Sequence, residues 1–169
     1  MVITETDRLI IRRITKNDIS ELLKIYNKSE NMNFISNGKS TWTKAELSEK
    51  YNKVNSSNLL RDEIFAIELK KDNKIIGEAG LFNSFDCYSK LELGYIIDST
   101  FWKKGFGKET CYGLIKYAFI NLKSETLIAR MYAENISSVI LSEKCGMKRI
   151  KTGIAENGKQ FYIYEIKRT

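Results

Sequence analysis

The stretch that most constrains this chain runs from Leu91 to Leu122. Leu91, Leu93, Tyr95 and Ile97 recur at every second position, the period of a strand with one buried face. Residues Asp98 to Phe106 cannot continue that strand and form a loop around Gly105. Cys111, Leu114, Ile115, Ala118, Phe119 and Leu122 then make an apolar stripe at helical spacing. A strand that passes through a glycine loop into an amphipathic helix belongs to a layered α/β fold, where the helix packs back on the sheet.

The remaining patterns extend this frame to a single domain over residues 1–169. Leu9 to Ile14 reads as a first strand. Thr15 and Asp18 stand at capping-box spacing before Ile19, Leu22, Leu23 and Tyr26, which recur as a helix face. A second helix is capped by Thr43, with Glu46 reaching back and Trp42 stapling onto Leu47. Its buried stripe is Leu47, Tyr51 and Val54. Ile64 to Leu69 and Ile75 to Phe82 read as a hairpin about Lys71-Asp72-Asn73-Lys74, and Thr126 to Tyr132 as a further strand. Asn135 caps the next helix and Gly146 ends it, with Met147 packing back. Ile150 to Ile154 and Phe161 to Ile166 form a last hairpin, with Asn157-Gly158 signalling a type I′ turn. The order β-α-α-β-β-β-α-β-α-β-β predicts an α/β fold with a mixed sheet.

Composition removes several chemistries. The chain has no histidine, which excludes a Ser-His-Asp triad, a Cys-His dyad and a His-based zinc site. No metal is expected, and acid–base work falls to Glu, Asp, Tyr, Lys, Cys, Ser or water. Cys87, Cys111 and Cys145 imply no disulfide framework, and Met1 to Arg13 carries no signal-peptide core. A cytoplasmic protein without a membrane span is expected. Lys and Arg total 28 against 21 Asp and Glu, a net charge of +7. That balance suits an anionic partner, yet the charges are scattered as on an ordinary solvated surface.

The run Ile96 to Glu109 joins a strand, a glycine loop and a helix start. Free amides and the helix dipole at such a turn attract phosphate, and Lys103, Lys104 and Lys108 add charge. Spacing alone fits an ordinary strand-to-helix turn equally well. Gly153 to Gln160 nearly spells a P-loop, but Gln160 replaces the Mg²⁺-binding hydroxyl and a strand follows, so the hairpin reading stands. No Gly-x-Gly-x-x-Gly occurs, and a dinucleotide fold has no support. Asn135 to Met147 is by itself a capped helix with a glycine stop; its place in the order turns its N-terminus toward the same cleft.

Three pieces in this order resemble the GNAT superfamily of N-acetyltransferases, in its branch of ribosomal-protein N-terminal acetyltransferases. They are Asp7-Arg8-Leu9-Ile10-Ile11-Arg12, then Glu92-Leu93-Gly94-Tyr95 with Trp102-Lys103-Lys104-Gly105-Phe106-Gly107, and then Asn135-x-x-Ser138 with Glu143-Lys144-Cys145-Gly146-Met147. The resemblance implies a GNAT-like α/β fold, a mixed and mostly antiparallel sheet of about seven strands flanked by about four helices. It implies a strand that bulges and splays from its neighbour, with pantetheine pairing to the backbone of Tyr95, Ile96 and Ile97. The pyrophosphate of acetyl-CoA would sit on the amides of Lys103, Lys104, Gly105, Phe106, Gly107 and Lys108, and Asn135 would contact the cofactor arm. The amine would attack the thioester directly, in a ternary complex. Trp102 stands where Gln or Arg is frequent, Ser99 replaces a frequent Pro, and Ser142 replaces a Tyr that protonates the thiolate in many relatives. That last departure turns attention to Ser138.

An ammonium acceptor must lose a proton before attack, and Glu92 is the candidate base, directly or through water. Its competing reading is a solvated or salt-bridged strand residue. Ser138 is the candidate acid, or only part of a helix cap. Cys145, Tyr162 and Tyr164 read as packing residues. The expected activity is transfer of acetyl to a primary amine, on a protein N-terminus or a small molecule, by a monomer or homodimer. The alternatives are a non-enzymatic RNA- or ribosome-binding protein, which no RNA-recognition signature supports, and a CoA-binding regulator on the same fold. Residues choosing the acceptor are expected between Ser29 and Leu60.

Overall fold

The computed structural model describes residues 1–35, 39, 41–56, 63–84 and 90–168. These form strands β1 (Val2–Glu5), β2 (Leu9–Arg13), β3 (Glu63–Leu69), β4 (Ile75–Asn83), β5 (Leu91–Ile97), β6 (Thr126–Tyr132), β7 (Lys148–Ile154) and β8 (Gln160–Lys167). The helices are α1 (Ile19–Tyr26), α2 (Ser29–Met32), α3 (Lys44–Asn55), α4 (Phe106–Ile120) and α5 (Ile136–Lys144), with a 3₁₀ turn over Ser99–Phe101. One eight-stranded sheet has the order β1-β2-β3-β4-β5-β6-β8-β7, antiparallel throughout except for the parallel pair β5–β6. Among the described residues, no helix is long and apolar enough to cross a membrane.

The sheet separates the two larger cores among the described residues. Leu9, Ile11, Phe65, Ile67, Leu81, Leu91 and Leu93 pack with Cys111, Leu114 and Ala118 of α4 on one face. Ile64, Ala66 and Ile96 pack with Leu22, Tyr26, Leu47 and Tyr51 of α1 and α3 on the other. This alternation along β3 and β5 is the period-two pattern of strands covered on both sides.

The sequence expectation falls one strand and one helix short. β1 and the one-turn α2 are too short to carry a period of their own; β1 forms because β2 offers it an edge. At Thr15 the capping box is half built. Asp18 accepts from the Thr15 amide at 2.7 Å, but the Thr15 hydroxyl donates to Asp18 rather than accepting from the helix. Arg12 also claims that carboxylate, so α1 begins only at Ile19. The Thr43–Glu46 box forms completely. The last hairpin corrects the type I′ expectation, which needs positive φ at both central residues. Gly158 has φ +79°, while Asn157 is not among the positive-φ residues. Ala155 accepts from the Gly158 amide at 2.9 Å and donates to Lys159 at 2.8 Å, a longer loop with one left-handed residue. The Asn157 side-chain amide instead donates to the Tyr132 hydroxyl at 3.1 Å.

Glu78 of β4 is buried and ties three elements together. Its carboxylate accepts from the Tyr26 hydroxyl, the Tyr51 hydroxyl and the Lys50 ammonium. Burial, then the adjacent Glu78 charge, pushes both phenols above their ordinary range. Removing one partner of a buried ion pair strands the other in low dielectric. Glu78→Ala is therefore expected to cost about 3–5 kcal/mol, read as a fall in the guanidinium unfolding midpoint. A change below about 1 kcal/mol, the scale of an exposed ion pair, would contradict this anchoring role.

Candidate active site

β5 and β6 share only the pairs Leu91↔Leu127 and Glu92↔Ile128, then part. On its other side β5 keeps unbroken register with β4 from Asn83↔Leu91 to Gly77↔Ile97. The strands therefore splay as the resemblance implies, but without the expected bulge. The amides of Asp98 and Ser84 bond across to Ile76 and Lys90, which assigns the even residues of β5 to the β4 ladder. The backbone of Leu93, Tyr95 and Ile97 accordingly faces β6, while that of Ile96 faces β4. Ile96 thus belongs to the ladder and, through its side chain, to the α1–α3 core. The Ile97 carbonyl accepts from the Trp102 indole at 2.7 Å.

Beyond β5 the chain is held at several points. Lys28 pairs with Asp98 at 2.7 Å, and the Ser99 amide donates to the buried Asn31 at 2.8 Å. Burial would raise the Asp98 carboxyl, but Lys28 and the Thr100 amide outweigh it and hold it below its ordinary value. Lys103 has φ +59° and Gly105 φ +85°. A left-handed non-glycine residue is strained and persists only where its surroundings impose it. Gly105 caps α4, whose first intrahelical bond runs from Glu109 to Gly105. The amides of Gly105 to Lys108 thus have no intrahelical partner. Phe106 is a core side chain, so only its backbone faces this turn. A Cβ on Gly107 would lie 3.1 Å from Leu141, so this glycine also lets α4 approach α5. The Lys104 ammonium is drawn back to the Thr100 carbonyl at 2.8 Å.

The α5 N-terminus faces the same parting. The Asn135 side chain accepts from the Ser138 amide at 3.2 Å, the expected cap. The Ser138 hydroxyl lies 3.1 Å from the Tyr95 hydroxyl, an intimacy between β5 and α5 that sequence spacing does not reveal. Burial raises the Tyr95 phenol, which is protonated at neutral pH. Ser142 is buried with its hydroxyl 4.0 Å from the Met131 sulfur. Cys111 and Cys145 are buried free thiols, and Cys87 lies outside the described residues.

On the opposite face Glu92 lines a cleft of about 540 Å³ with Phe34, Arg130, Tyr132, Glu156, Asn157 and Phe161. Phe34 falls in the segment expected to choose the acceptor; positions 36–38, 40 and 57–60 of that segment lie outside the described residues. Arg130, Tyr132 and Phe161 were not expected. Arg130 and Tyr132 follow Ile128, the partner of Glu92, at strand period, a signal usable only once the β5–β6 register is known. Arg130 lies over the Phe161 ring, 4.0 Å from its centroid.

A family model described as the acetyltransferase (GNAT) domain matches residues 8–148. The chain belongs to the GNAT acetyltransferase family and is an acetyl-CoA-dependent acetyltransferase. YnaD of Bacillus subtilis (strain 168), an uncharacterized N-acetyltransferase, is 26% identical over 144 residues, 85% of this chain and 81% of YnaD. The fold is shared with spermidine N-acetyltransferase from Vibrio cholerae in complex with CoA and spermine, at TM-score 0.83 and 22% identity over 96% of each chain. It is also shared with RimL, the ribosomal L7/L12 alpha-N-protein acetyltransferase in complex with coenzyme A, at TM-score 0.84 and 13% identity over 99% of this chain and 98% of that one.

Three carboxyls brace this half of the molecule at depressed values. Asp98 is one. For Asp18 and Glu109 too, burial raises the carboxyl, but hydrogen bonds from Arg12 and Thr15, and from Thr6 and Arg8, outweigh it. The unfolded chain binds protons more tightly at these groups. Their stabilisation is complete above the unfolded values, about pH 4, and is lost as pH falls through the lower folded values. Urea midpoints should be level between pH 7 and pH 5 and clearly lower at pH 3; an unchanged midpoint at pH 3 would contradict this bracing.

Proposed function

We propose that the protein transfers the acetyl group of acetyl-CoA to a primary amine, on a protein N-terminus or a small molecule, by direct attack in a ternary complex. The carrying observation is the parting of β5 from β6 beside two helix N-termini. Buried backbone groups need hydrogen-bond partners, and the amide-bearing pantetheine arm supplies them along Leu93 and Tyr95 and at the Ile97 amide. The orphan amides of Gly105 to Lys108, under the α4 dipole, suit the pyrophosphate. Lys103, Lys104 and Lys108 add positive potential, and the Asn135 amide nitrogen is available to the cofactor arm.

Glu92 stands where β5 and β6 begin to part, and it also lines the cleft, so it joins the thioester side to the acceptor side. It takes a proton from the ammonium, directly or through water. The amine nitrogen then attacks the thioester carbonyl carbon, the carbon–sulfur bond breaks, the nitrogen sheds its second proton to water, and the thiolate takes a proton from Ser138. Tyr95, hydrogen-bonded to Ser138 and kept protonated by burial, can relay a replacement proton that comes in turn from water. The cleft mixes the carboxylates of Glu92 and Glu156 with Arg130 and aromatic walls. This suits a single ammonium on an apolar body better than a polycation. The spermidine enzyme and RimL act on amines of both kinds by name.

The test is CoA release across a panel of amines and peptides, with acetyl-CoA binding followed by calorimetry. Glu92→Gln should lower turnover roughly 100- to 10,000-fold while leaving acetyl-CoA affinity near that of the parent. Full turnover in that variant would return Glu92 to a structural role.

Gly105→Val should fold, by circular dichroism, yet weaken acetyl-CoA binding on the order of a hundredfold or more, because a β-branched residue resists positive φ and displaces charge-assisted bonds. Parent-like binding by a folded Gly105→Val would mean the loop is only a turn.

A further inference from the structure

The loop before α4 is gripped from outside by the N-terminal segment. Arg8 donates from its side chain to the Lys104 carbonyl at 3.1 Å. Its Nε and a terminal nitrogen both reach Glu109 Oε2 at 2.7 Å, and its own amide reaches Oε1 at 2.7 Å. The Thr6 hydroxyl donates to Glu109 at 2.6 Å. The guanidinium lies 4.2 Å over the Phe106 ring, and one of its nitrogens lies 3.2 Å from where a Cβ on Gly105 would stand.

The bond to Lys104 has a directional consequence. In a trans peptide the carbonyl and the following amide point opposite ways. A hydrogen bond that pins the Lys104 carbonyl therefore also aims the Gly105 amide away from Arg8. Rotation of that peptide plane would present a carbonyl where an amide stands, which repels an anion. Lys103 is a left-handed non-glycine residue, a strained geometry that needs outside support, while Gly105 takes positive φ as glycine allows. The Arg8 side chain is 49% exposed, so its removal costs the fold little, because Glu109 keeps the hydrogen bonds from the Thr6 hydroxyl and the Arg8 backbone amide.

We infer that Arg8, anchored by Glu109, is a positioning residue for the phosphate loop: it locks the Lys104–Gly105 peptide so that the Gly105 amide faces the anion. This rests on the reading that the loop takes the pyrophosphate of acetyl-CoA. The guanidinium fork is essential, because a single ammonium cannot hold Glu109 and the Lys104 carbonyl together in that geometry.

The experiment compares the parent, Arg8→Ala and Arg8→Lys, with Arg13→Ala as control. Arg13 pairs with Glu63 at 2.7 Å and similar exposure. Acetyl-CoA affinity is measured by calorimetry. Affinity for S-acetylpantetheine, which keeps the thioester and the arm but lacks the pyrophosphate, is measured by NMR titration. Arg8→Ala should bind acetyl-CoA about tenfold more weakly and S-acetylpantetheine as the parent does. Arg8→Lys should not restore the loss, and Arg13→Ala should match the parent. Parent-like acetyl-CoA binding by Arg8→Ala would overturn the inference. So would equal losses on both ligands, which signal general damage, or full rescue by lysine, which signals charge alone. A parent that binds S-acetylpantetheine but gains nothing from the pyrophosphate would overturn the loop reading itself.

Discussion

Two parallel strands that separate after a two-pair ladder are the constraint around which this molecule is organised. A sheet normally satisfies its backbone by pairing every interior strand on both edges. Here β5 is fully paired to β4 and almost unpaired to β6. The helices compensate for the lost lateral support. α4 and α5 pack across the sheet on one face, joined through Cys111, Cys145, Met147 and Val139 in a common core. Their N-termini converge on the opening, which on the proposed reading takes the amide and phosphate groups of acetyl-CoA.

Local strain is concentrated beside that opening and is offset from a distance. Lys103 is a left-handed non-glycine residue two positions before Gly105. The indole of Trp102 folds back on Ile97, Asn31 and Lys28 reach across from the α1–α2 connection, and Arg8 holds the far side. None of these contacts is strong alone. Together they tie the loop to three other parts of the chain, and on the proposed reading such support lowers the ordering cost of binding.

The two faces of β5 divide the labour. Side chains of Leu91, Leu93 and Ile97 enter the α4 core, and Tyr95 reaches Ser138 at its rim. Glu92, on the other face, opens into the cleft lined by Arg130, Tyr132 and Phe161. A strand's twofold alternation thus places a candidate base and a candidate proton donor on opposite sides of the same parting. On the proposed reading, acceptor choice rests on elements far apart in sequence: Phe34 after α2, Arg130 and Tyr132 on β6, and Asn157 in the last hairpin.

Local signals in the sequence carried a large part of this. Leu91–Ile97 was legible by its alternation and Thr126–Tyr132 as a short apolar run, and the Thr43 and Asn135 caps because a cap is a contact over three residues. The glycine loop and the acetyltransferase class were legible for the same reason, as short motifs in a fixed order. Tertiary structure decided what depends on contacts over long separations. It placed β1 against β2, and it drew Lys50, Tyr26 and Tyr51 onto Glu78. It brought Arg8 to Lys104, and it set the register that puts Arg130 and Tyr132 near Glu92. A pattern in sequence reports which face of an element is buried; only the packed sheet determines which two faces meet, because register and crossing are fixed by all the elements at once.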